Sequence, residues 1–589
     1  MEVKVSYDHF PSVAVPVTAT DYAVAGWSAV GAELRQRVDG LGKKKTVVCV
    51  DFYHGVWEDD VVAALVAELK PAVVVRTQEA NRSRDEIRAM LAREVGEDRV
   101  FGLLSHRTVD EFFDPAQVEA LRARIASVDA GVVLVCGVAA AHVCTARDVL
   151  VYADMARWEI QMRYRSGKLA NWLDDNYGED VLRLYKRGFF VDWRVLDRHK
   201  RGLYEALDYV LDTNADEPKL MTGSAFRRGL DIAAQRPFRV KPYFDPGVWG
   251  GQWMKEKFGL DPSKKNYAWS FDCVPEENSL LFDVGGIVLE TPAINLVFRR
   301  PHELLGEKVH ARFGTEFPIR FDMLDTMKGG NLSLQCHPLT EYIQEQFGMH
   351  YTQDESYYLL DADPSANPHV YLGLKNNVDR DEFAAALRAS ATTGSFDAEK
   401  YVNAFPAKKH DHFLIPGGTI HCSGADCMVL EISATPYIFT FKMWDWGRLG
   451  LDGRPRPIHA ERALANIQFD RDTDWVRANL VDQVEVLSQE PGVVEERTGL
   501  HAREFIETRR HWFTAPVQHD THGGVNVLNL VEGEEVTVES PTGAFAPFVV
   551  HYAETFIVPA AVGAYVIRPT GPNATARHGT IKAYVRTHI

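Results

Sequence analysis

Residues 331–342, NLSLQCHPLTEY, place Gln335 and His337 two apart, with the small Cys336 between them and Pro338 next. In an extended chain successive side chains point to opposite faces, so Gln335 and His337 share one face and Cys336 takes the other. Two ligand-capable side chains on one face make half of a metal site. Two later segments supply candidates for the other half. QDESYYLLDAD (353–363) carries Glu355 just ahead of a strand pattern, and HFLIPGGTIHCSG (412–424) carries His421 after a strand and a Pro-Gly-Gly turn. Two imidazoles, one carboxylate and one amide oxygen suit zinc, iron or manganese, and the ligand types do not choose among them. With four protein ligands or fewer, water or substrate can take an open position, as a catalytic metal requires. A single strand histidine is more often a hydrogen-bonding group than a ligand. The four together, in this order, reverse that preference.

These residues need a scaffold that brings separated strands together. A chain of 589 residues predicts two to four domains. Net charge is −17, which argues against nucleic acid as a main partner, because phosphate binding needs a basic face. The seven cysteines form no CxxC pair and are odd in number, so a reducing, cytoplasmic location is expected rather than a disulfide framework. The segment MEVKVSYDHFPSVAVP lacks a basic stretch followed by an apolar one, so no secretory leader is expected. No apolar run approaches the ~20 residues a membrane helix needs.

From about 40 to 215 strand and helix patterns alternate: strands at 46–53, 72–78, 99–105 (RVFGLLS) and 131–137, with helical stretches between. This predicts a parallel sheet covered on both faces. Residues 145–235 read as mostly helical, and the Pro- and Gly-rich stretch 236–251 reads as a boundary. Beyond 240, short strands between Gly and Pro turns predict a β-barrel or jelly roll, interrupted by helical patterns near 340–347, 380–390 and 459–487. FLIPGGTIH (413–421) and FIVPAAVGAYVI (556–567) share a pattern, a sign of two related barrels. The expected fold is therefore α+β and multidomain, with an N-terminal α/β domain at 1–235 and barrels at 236–470 and 471–589.

KPYFDPGVWGGQWM, LSLQCHP, DESYYLLDAD, VYLGLKNNVDRDEFAAAL, FLIPGGTIHCSG, MVLEIS, MWDWGRLG and ETFIVPAAVGAYVI occur in one order across residues 240–589. Together they resemble a type I phosphomannose isomerase. The resemblance implies two cupin β-barrels (jelly rolls) with a helical insertion and one zinc ion held by Gln335, His337, Glu355 and His421, although another divalent metal would suit the same set. It implies that Glu431 transfers a proton and that the substrate is a sugar phosphate. Two positions depart from the family. Lys442 stands where the family has an arginine, with one extra residue between it and Glu431; Gln353 stands where bacterial relatives carry a lysine. A lysine is a flexible point charge and not a planar fork, so a phosphorylated substrate would be held differently. Arg320 falls where relatives have lysine, and Ser333 matches a phosphate-contacting hydroxyl; a strand serine also often bonds to backbone. Arg320, Ser333 and Gln353 are thus the expected substrate contacts, with Lys442 stabilising charge.

The activity implied is aldose–ketose isomerisation, which needs a base, stabilisation of the enediolate oxygens and a dry pocket. Two alternatives differ in class: a sugar-phosphate sensor that keeps the metal cage without turnover, and an iron-dependent cupin oxygenase suggested only by its two histidines and carboxylate. His410 and His412 read as exposed polar groups, and a second metal at His519 and His522 is not expected. Cys336 and Cys422 read as small buried residues pointing away from the ligands.

In the N-terminal part, VVCVDFYHG and VVLVCGVAAAHVC resemble P-loop nucleoside kinases. The Walker signature is absent: Gly137 is followed by Val138, Ala139, Ala140, Ala141 and His142, with no lysine for a phosphate. A degenerate, structural or ligand-sensing domain is expected, with a nucleotide or another anion as its possible ligand. Arg157, Arg163, Arg165, Arg187 and Arg194 could form an anion site, although such arginines more often pair with nearby carboxylates.

Overall fold

Residues 45–52, KTVVCVDF, have no polar face to turn to water, and they form a strand that is buried on both sides. The structure, a computed structural model, describes residues 6–434, 437–499, 501 and 503–587. The chain divides into two units, Ser12–Ala233 with Ser279–Arg299, and Met1–Pro11 with Ala234–Asn278 and Arg300–Ile589.

The first unit is α/β. Its strands are β1 (Ser12–Val15), β2 (Ala23–Ala25), β3 (Lys45–Phe52), β4 (Val73–Arg76), β5 (Gly131–Val138), β6 (Val149–Asp154), β7 (Tyr209–Asp212) and β8 (Lys219–Thr222). Seven of them form one sheet in the order β2-β8-β7-β6-β3-β5-β4. The ladder from β4 to β7 is parallel, and β8 and β2 close one edge antiparallel. The crossover helix Pro115–Ala126 starts where Asp114 caps it, its carboxylate accepting from the amides of Ala116 and Gln117, with Pro115 in the first turn.

Two sequence expectations are corrected here. RVFGLLS (99–105) is not a strand. Its backbone amides at Leu103 and Ser105 bond to the carbonyls of Glu94 and Phe190 instead of a ladder, and Phe101 is buried there. The block 145–235 is not helical throughout, because β6, β7 and β8 lie within it. The apolar run VLVYAD is a parallel strand masked in the sequence by the Arg-rich helices that follow.

After β8 the chain enters the second unit through β9 (Tyr243–Asp245) and β10 (Trp269–Cys273), then contributes a hairpin to the first unit, β11 (Ser279–Val284) and β12 (Ile287–Pro292). There β1 pairs in parallel with β11, and β11 pairs antiparallel with β12.

The second unit is built on antiparallel β-sheets. β13 (Arg320–Asp325), β15 (Asp354–Ala362), β18 (His412–Ile415) and β20 (Cys427–Ala434) join β9 and β10 in a six-stranded sheet ordered β18-β15-β20-β13-β10-β9. β14 (Leu334–Cys336), β16 (His369–Leu374), β17 (Val402–Pro406), β19 (His421–Ser423) and β21 (Phe441–Trp444) form a five-stranded sheet ordered β17-β16-β19-β14-β21. Helices Thr340–Phe347, Arg380–Thr393, Ala460–Leu464 and Thr473–Asn479 occupy the expected helical stretches.

A further pair of sheets follows. β22 (Glu485–Glu490), β23 (Val493–Gly499), β24 (Ile506–Phe513), β26 (Asn526–Glu532), β29 (Thr555–Val558) and β31 (His578–Val585) make one; β25 (Val517–Asp520), β27 (Glu535–Glu539), β28 (Phe548–His551) and β30 (Ala564–Thr570) make the other. Phe513, Leu528, Leu530, Phe556, Tyr565 and Ile567 belong to the apolar core shared by these two sheets. FLIPGGTIH and FIVPAAVGAYVI occupy like positions, each a strand, a proline, a turn and a second strand. Among the described residues, no helix is long and apolar enough to cross a membrane.

Candidate metal centre

The side chains of Gln335, His337, Glu355 and His421 meet between the six- and five-stranded sheets. Register explains why. Gln335 lies directly opposite His421 on β19 and opposite Lys442 on β21, so these three project from one face of the five-stranded sheet. On the other sheet Glu355 and Tyr357 share a face, and Glu431 pairs with both Tyr357 and Asp322. Glu431 therefore projects to the same side as Glu355. The turn before β19 is tightly constrained. Gly418 has φ +83°, and a Cβ there would stand 2.6 Å from the Asn466 carbonyl oxygen. Its amide donates to the His337 carbonyl at 2.8 Å, which ties the approach to His421 to the strand end that carries His337.

Ligand-capable atoms of His337, Glu355 and His421 lie within 4.8 Å of one another, and among the described residues no other group of three or more His, Cys, Asp or Glu does this. All three are buried. The Nδ1 of His337 faces the Phe439 carbonyl oxygen at 2.9 Å, and the Nδ1 of His421 faces that of Thr419 at 2.9 Å. Each Nδ1–H therefore donates to backbone and each Nε2 keeps its lone pair for the cage. These Nε2 atoms stand 3.0 and 2.8 Å from the two Glu355 oxygens. Even so, His337 Nε2 and Glu355 Oε1 make no hydrogen bond, so the contacts are close without being aligned. Atoms that crowd a common point while His337 Nε2 and Glu355 Oε1 lack a hydrogen bond fit a cation between them. The Gln335 amide lies 3.2 Å from His421 Nε2, and a half-turn presents its oxygen to the same point. The donor set thus suits a divalent metal.

Charge is concentrated here. Burial would raise the Glu355 pKa, but His337 and His421 hold it well below the ordinary carboxylate value. The imidazoles diverge. Burial disfavours the His337 cation, yet Glu355 and the Phe439 carbonyl bring its pKa above the usual value; burial lowers that of His421, with the neighbouring His337 adding to the effect. Glu431 is raised well above the ordinary range by burial, by Glu355 and by Asp322, with Arg320 opposing. Asp322 is pushed up to about 7, chiefly by burial, against the pull of Arg320.

The other expected residues are placed as follows. Gln353 donates to Glu355 Oε2 at 3.0 Å and accepts from the Phe439 amide at 3.0 Å. Arg320 donates to Asp322 at 2.5 Å and is buried. Ser333 donates to Asp445 Oδ1 at 2.8 Å, and Arg456 donates to the Ser333 hydroxyl at 2.9 Å and to Asp445 Oδ2 at 2.8 Å. Sequence reasoning missed Asp322, Asp445 and Arg456. Alternation in RFDMLD puts Asp322 on the face of Arg320 and was the available signal; no local pattern marks Arg456 in its loop.

His412 is a correction: it is buried, not exposed, and burial lowers its pKa to about 3. His519 is also buried, whereas His522 is largely exposed. All seven cysteines are free and buried. In the α/β unit the five arginines are engaged internally. Arg157 pairs with Asp197 at 2.6 Å, Arg163 with Glu159 at 2.8 Å and Arg187 with Asp174, while Arg165 lies over Trp158 and Arg194 donates to the Phe189 carbonyl. Three of the five thus pair with nearby carboxylates, the alternative weighed against an anion site.

A family described as a domain of unknown function, DUF8485, matches residues 26–235. The mannose-6-phosphate isomerase of Streptococcus mutans is 26% identical over 230 residues, 39% of this chain and 66% of that protein. The probable mannose-6-phosphate isomerase GmuF of Bacillus subtilis is 24% identical over 230 residues, 39% of this chain and 67% of that protein. The chain thus spans about two thirds of the length of these relatives, and just under that for the first. Among solved structures, the mannose 6-phosphate isomerase from Bacillus subtilis aligns with a TM-score of 0.48 at 17% identity, covering 60% of this chain and 100% of that one. A zinc-bound mannose 6-phosphate isomerase aligns with a TM-score of 0.44 at 14% identity, with the same coverage. These relatives and neighbours are mannose-6-phosphate isomerases, similar to this chain at low identity and over part of its length.

Proposed function

We propose that this chain is a metal-dependent aldose–ketose isomerase acting on mannose 6-phosphate or a related phosphosugar. The observation that carries the reading is the convergence of two imidazole Nε2 atoms, a carboxylate and an amide beside a second carboxylic acid, Glu431. The names of the similar proteins point the same way. One zinc ion held by Gln335, His337, Glu355 and His421 would supply a Lewis acid for the sugar's carbonyl and hydroxyl oxygens. In the aldose-to-ketose direction Glu431 takes the C2 proton and returns it to C1, while the O2 hydroxyl proton moves to O1, so that O2 becomes the carbonyl oxygen and O1 a hydroxyl. Burial and the neighbouring Glu355 raise the Glu431 pKa well above that of an ordinary carboxylate, the direction a general base that must also give the proton back requires. Lys442, opposite Gln335 in the ladder, would stabilise the enediolate or hold phosphate. We assign the α/β part, the metal-bearing barrel and the terminal barrel as three domains, with the hairpin β11–β12 serving the first.

The test is proton exchange. Zinc-loaded protein is incubated with mannose 6-phosphate or fructose 6-phosphate in deuterated water, and label is followed at C2 and C1. Incorporation that a chelator abolishes and zinc restores is expected. A second reading, binding without turnover, draws on the engagement of Arg320 with Asp322 and of Gln353 with Glu355, which leaves fewer groups to hold phosphate. Tight binding of a phosphosugar with no exchange would select it and sink the isomerase.

A further inference from the structure

We propose that Arg456 and Arg448 hold the phosphate of the sugar substrate and that Asp445 sets their geometry. The assignment rests on the phosphosugar reading above. Arg320 is committed to Asp322, and Gln353 to Glu355 and the Phe439 amide, so a bound phosphate calls for cations from elsewhere.

Register places these residues beside the metal centre. The Leu332 amide donates to the Ser423 carbonyl at 2.8 Å, so the pairing of β14 with β19 runs on past the end of β14 and keeps the chain extended through Ser333. Ser333 therefore shares the face of Gln335 and stands two residues, roughly 7 Å, along it. On the other side Leu334 pairs with Trp444, which carries Asp445 opposite Ser333, and the Ser333 hydroxyl donates to Asp445 Oδ1 at 2.8 Å. In an open-chain hexose phosphate, bonds of ~1.5 Å put the phosphorus about 7 Å from C2. A sugar whose C1 and C2 oxygens meet the metal ligands thus brings its phosphate to the level of Ser333 and Asp445.

The loop after Asp445 turns two arginines back onto it. Leu449 bridges Pro455 antiparallel, and the Gly450 amide donates to the Arg454 carbonyl at 2.7 Å, so Arg448 and Arg456 come to lie across from each other. Like charges set opposite one another are destabilising without a counter-ion. Asp445 is that counter-ion for both: Arg448 Nη2 donates to its Oδ1 at 2.6 Å, and Arg456 Nη1 donates to its Oδ2 at 2.8 Å and to the Ser333 hydroxyl at 2.9 Å. One carboxylate against two guanidiniums leaves a positive charge unmatched. Donors are left over too. Among the described residues Arg456 spends only Nη1, so the parallel fork of Nε–H and Nη2–H has no partner, and Arg448, whose Nε donates to the Asp445 carbonyl, keeps Nη1. A planar fork of this kind matches two oxygens of a phosphate. The two side chains are 13% and 21% exposed, for Arg456 and Arg448, so both guanidiniums sit at a rim that solutes reach. Lys442, one step deeper beside Gln335, is then left to the enediolate.

The test uses the zinc-loaded full chain in phosphate-free buffer. Mannose 6-phosphate, mannose, fructose 6-phosphate and fructose are titrated calorimetrically into wild type, Arg456→Met, Arg448→Met and Arg456→Lys, with zinc content and unfolding midpoint measured for each. Wild type should bind each phosphosugar more tightly than its parent sugar. Each methionine variant should cut that preference at least fivefold, and Arg456→Lys, which keeps the charge and loses the fork, should cut it by a smaller factor. In deuterium exchange the loss should fall on KM rather than kcat. A merely structural role would weaken sugar and phosphosugar alike; an unchanged ratio in the methionine variants, or a loss confined to kcat, overturns the assignment while leaving the phosphosugar reading intact. Wild type that binds phosphosugar and parent sugar equally removes that reading itself, and the assignment with it. Should a methionine variant fail to fold, Arg456→Lys decides: an undiminished preference there overturns the role of the fork.

Discussion

Gln353 links two residues of the candidate metal centre, and replacing it with leucine isolates that link. Its amide donates to Glu355 Oε2 at 3.0 Å, and its carbonyl oxygen accepts from the Phe439 amide, whose own carbonyl receives His337 Nδ1 at 2.9 Å. Gln353→Leu therefore frees one carboxylate oxygen and loosens the backbone that aims the imidazole. Losing such a supporting partner typically weakens metal binding about 10–100-fold. That is a loss of ~1.4–2.8 kcal/mol, in the range of about 1.5–3 kcal/mol expected of a hydrogen bond to a charged group. The Phe439 amide is left without its acceptor, which should cost the metal-free protein about 1–3 kcal/mol. Zinc affinity is measured by competition with a chelating dye, and stability by denaturant unfolding of metal-free protein. Gln353→Glu serves as the contrast: it keeps an acceptor for the Phe439 amide but sets a second carboxylate against Glu355. A leucine variant that binds zinc within threefold of wild type, while Glu355→Gln does not, would refute the view that Gln353 positions the ligands.

Three other outcomes are expected. Glu431→Gln should keep its zinc, by elemental analysis, while deuterium exchange into a phosphosugar falls by roughly 10²–10⁴. Glu532 is held down to about 2 by His410 and Lys409, so its contribution is present above about pH 4.5 and is lost as pH falls toward 2. The stability gap between wild type and Glu532→Gln, read from urea midpoints, should accordingly narrow between pH 4.5 and pH 3 and stay constant between pH 5 and pH 7. Arg157→Met removes one partner of the buried pair with Asp197, and it should destabilise the α/β unit by about 3–5 kcal/mol in thermal or chemical unfolding.

The residues of the candidate metal centre were legible because an alternation and a turn signal agreed. Alternation put Gln335 and His337 on one face, and the Pro-Gly-Gly turn announced a constrained approach to His421. Positions set by distant partners were not legible. His412 lies in KKHDH, which reads as surface, yet a Cβ on Gly499 would stand 3.2 Å from its ring. Nothing local to residue 412 records a strand that begins 81 residues later. Gln353 reads as a substrate contact from the residue relatives carry there, and its engagement with Glu355 and Phe439 emerges only when β15 and the segment before β21 are side by side. RVFGLLS has the composition of a strand, but the carbonyls of Glu94 and Phe190 capture its amides before any neighbouring strand can.

The hairpin β11–β12 comes 45 residues after Ala233, beyond two strands of the other unit, yet it pairs with β1 near the start of the chain. On a ribosome, the α/β unit must therefore wait for residues 279–299 to emerge before its small three-stranded sheet can close. A fragment ending at 235 would retain the span matched by the domain family but release β1 from its partner. No single cut separates the two units, so no one truncation removes the whole of one and nothing of the other.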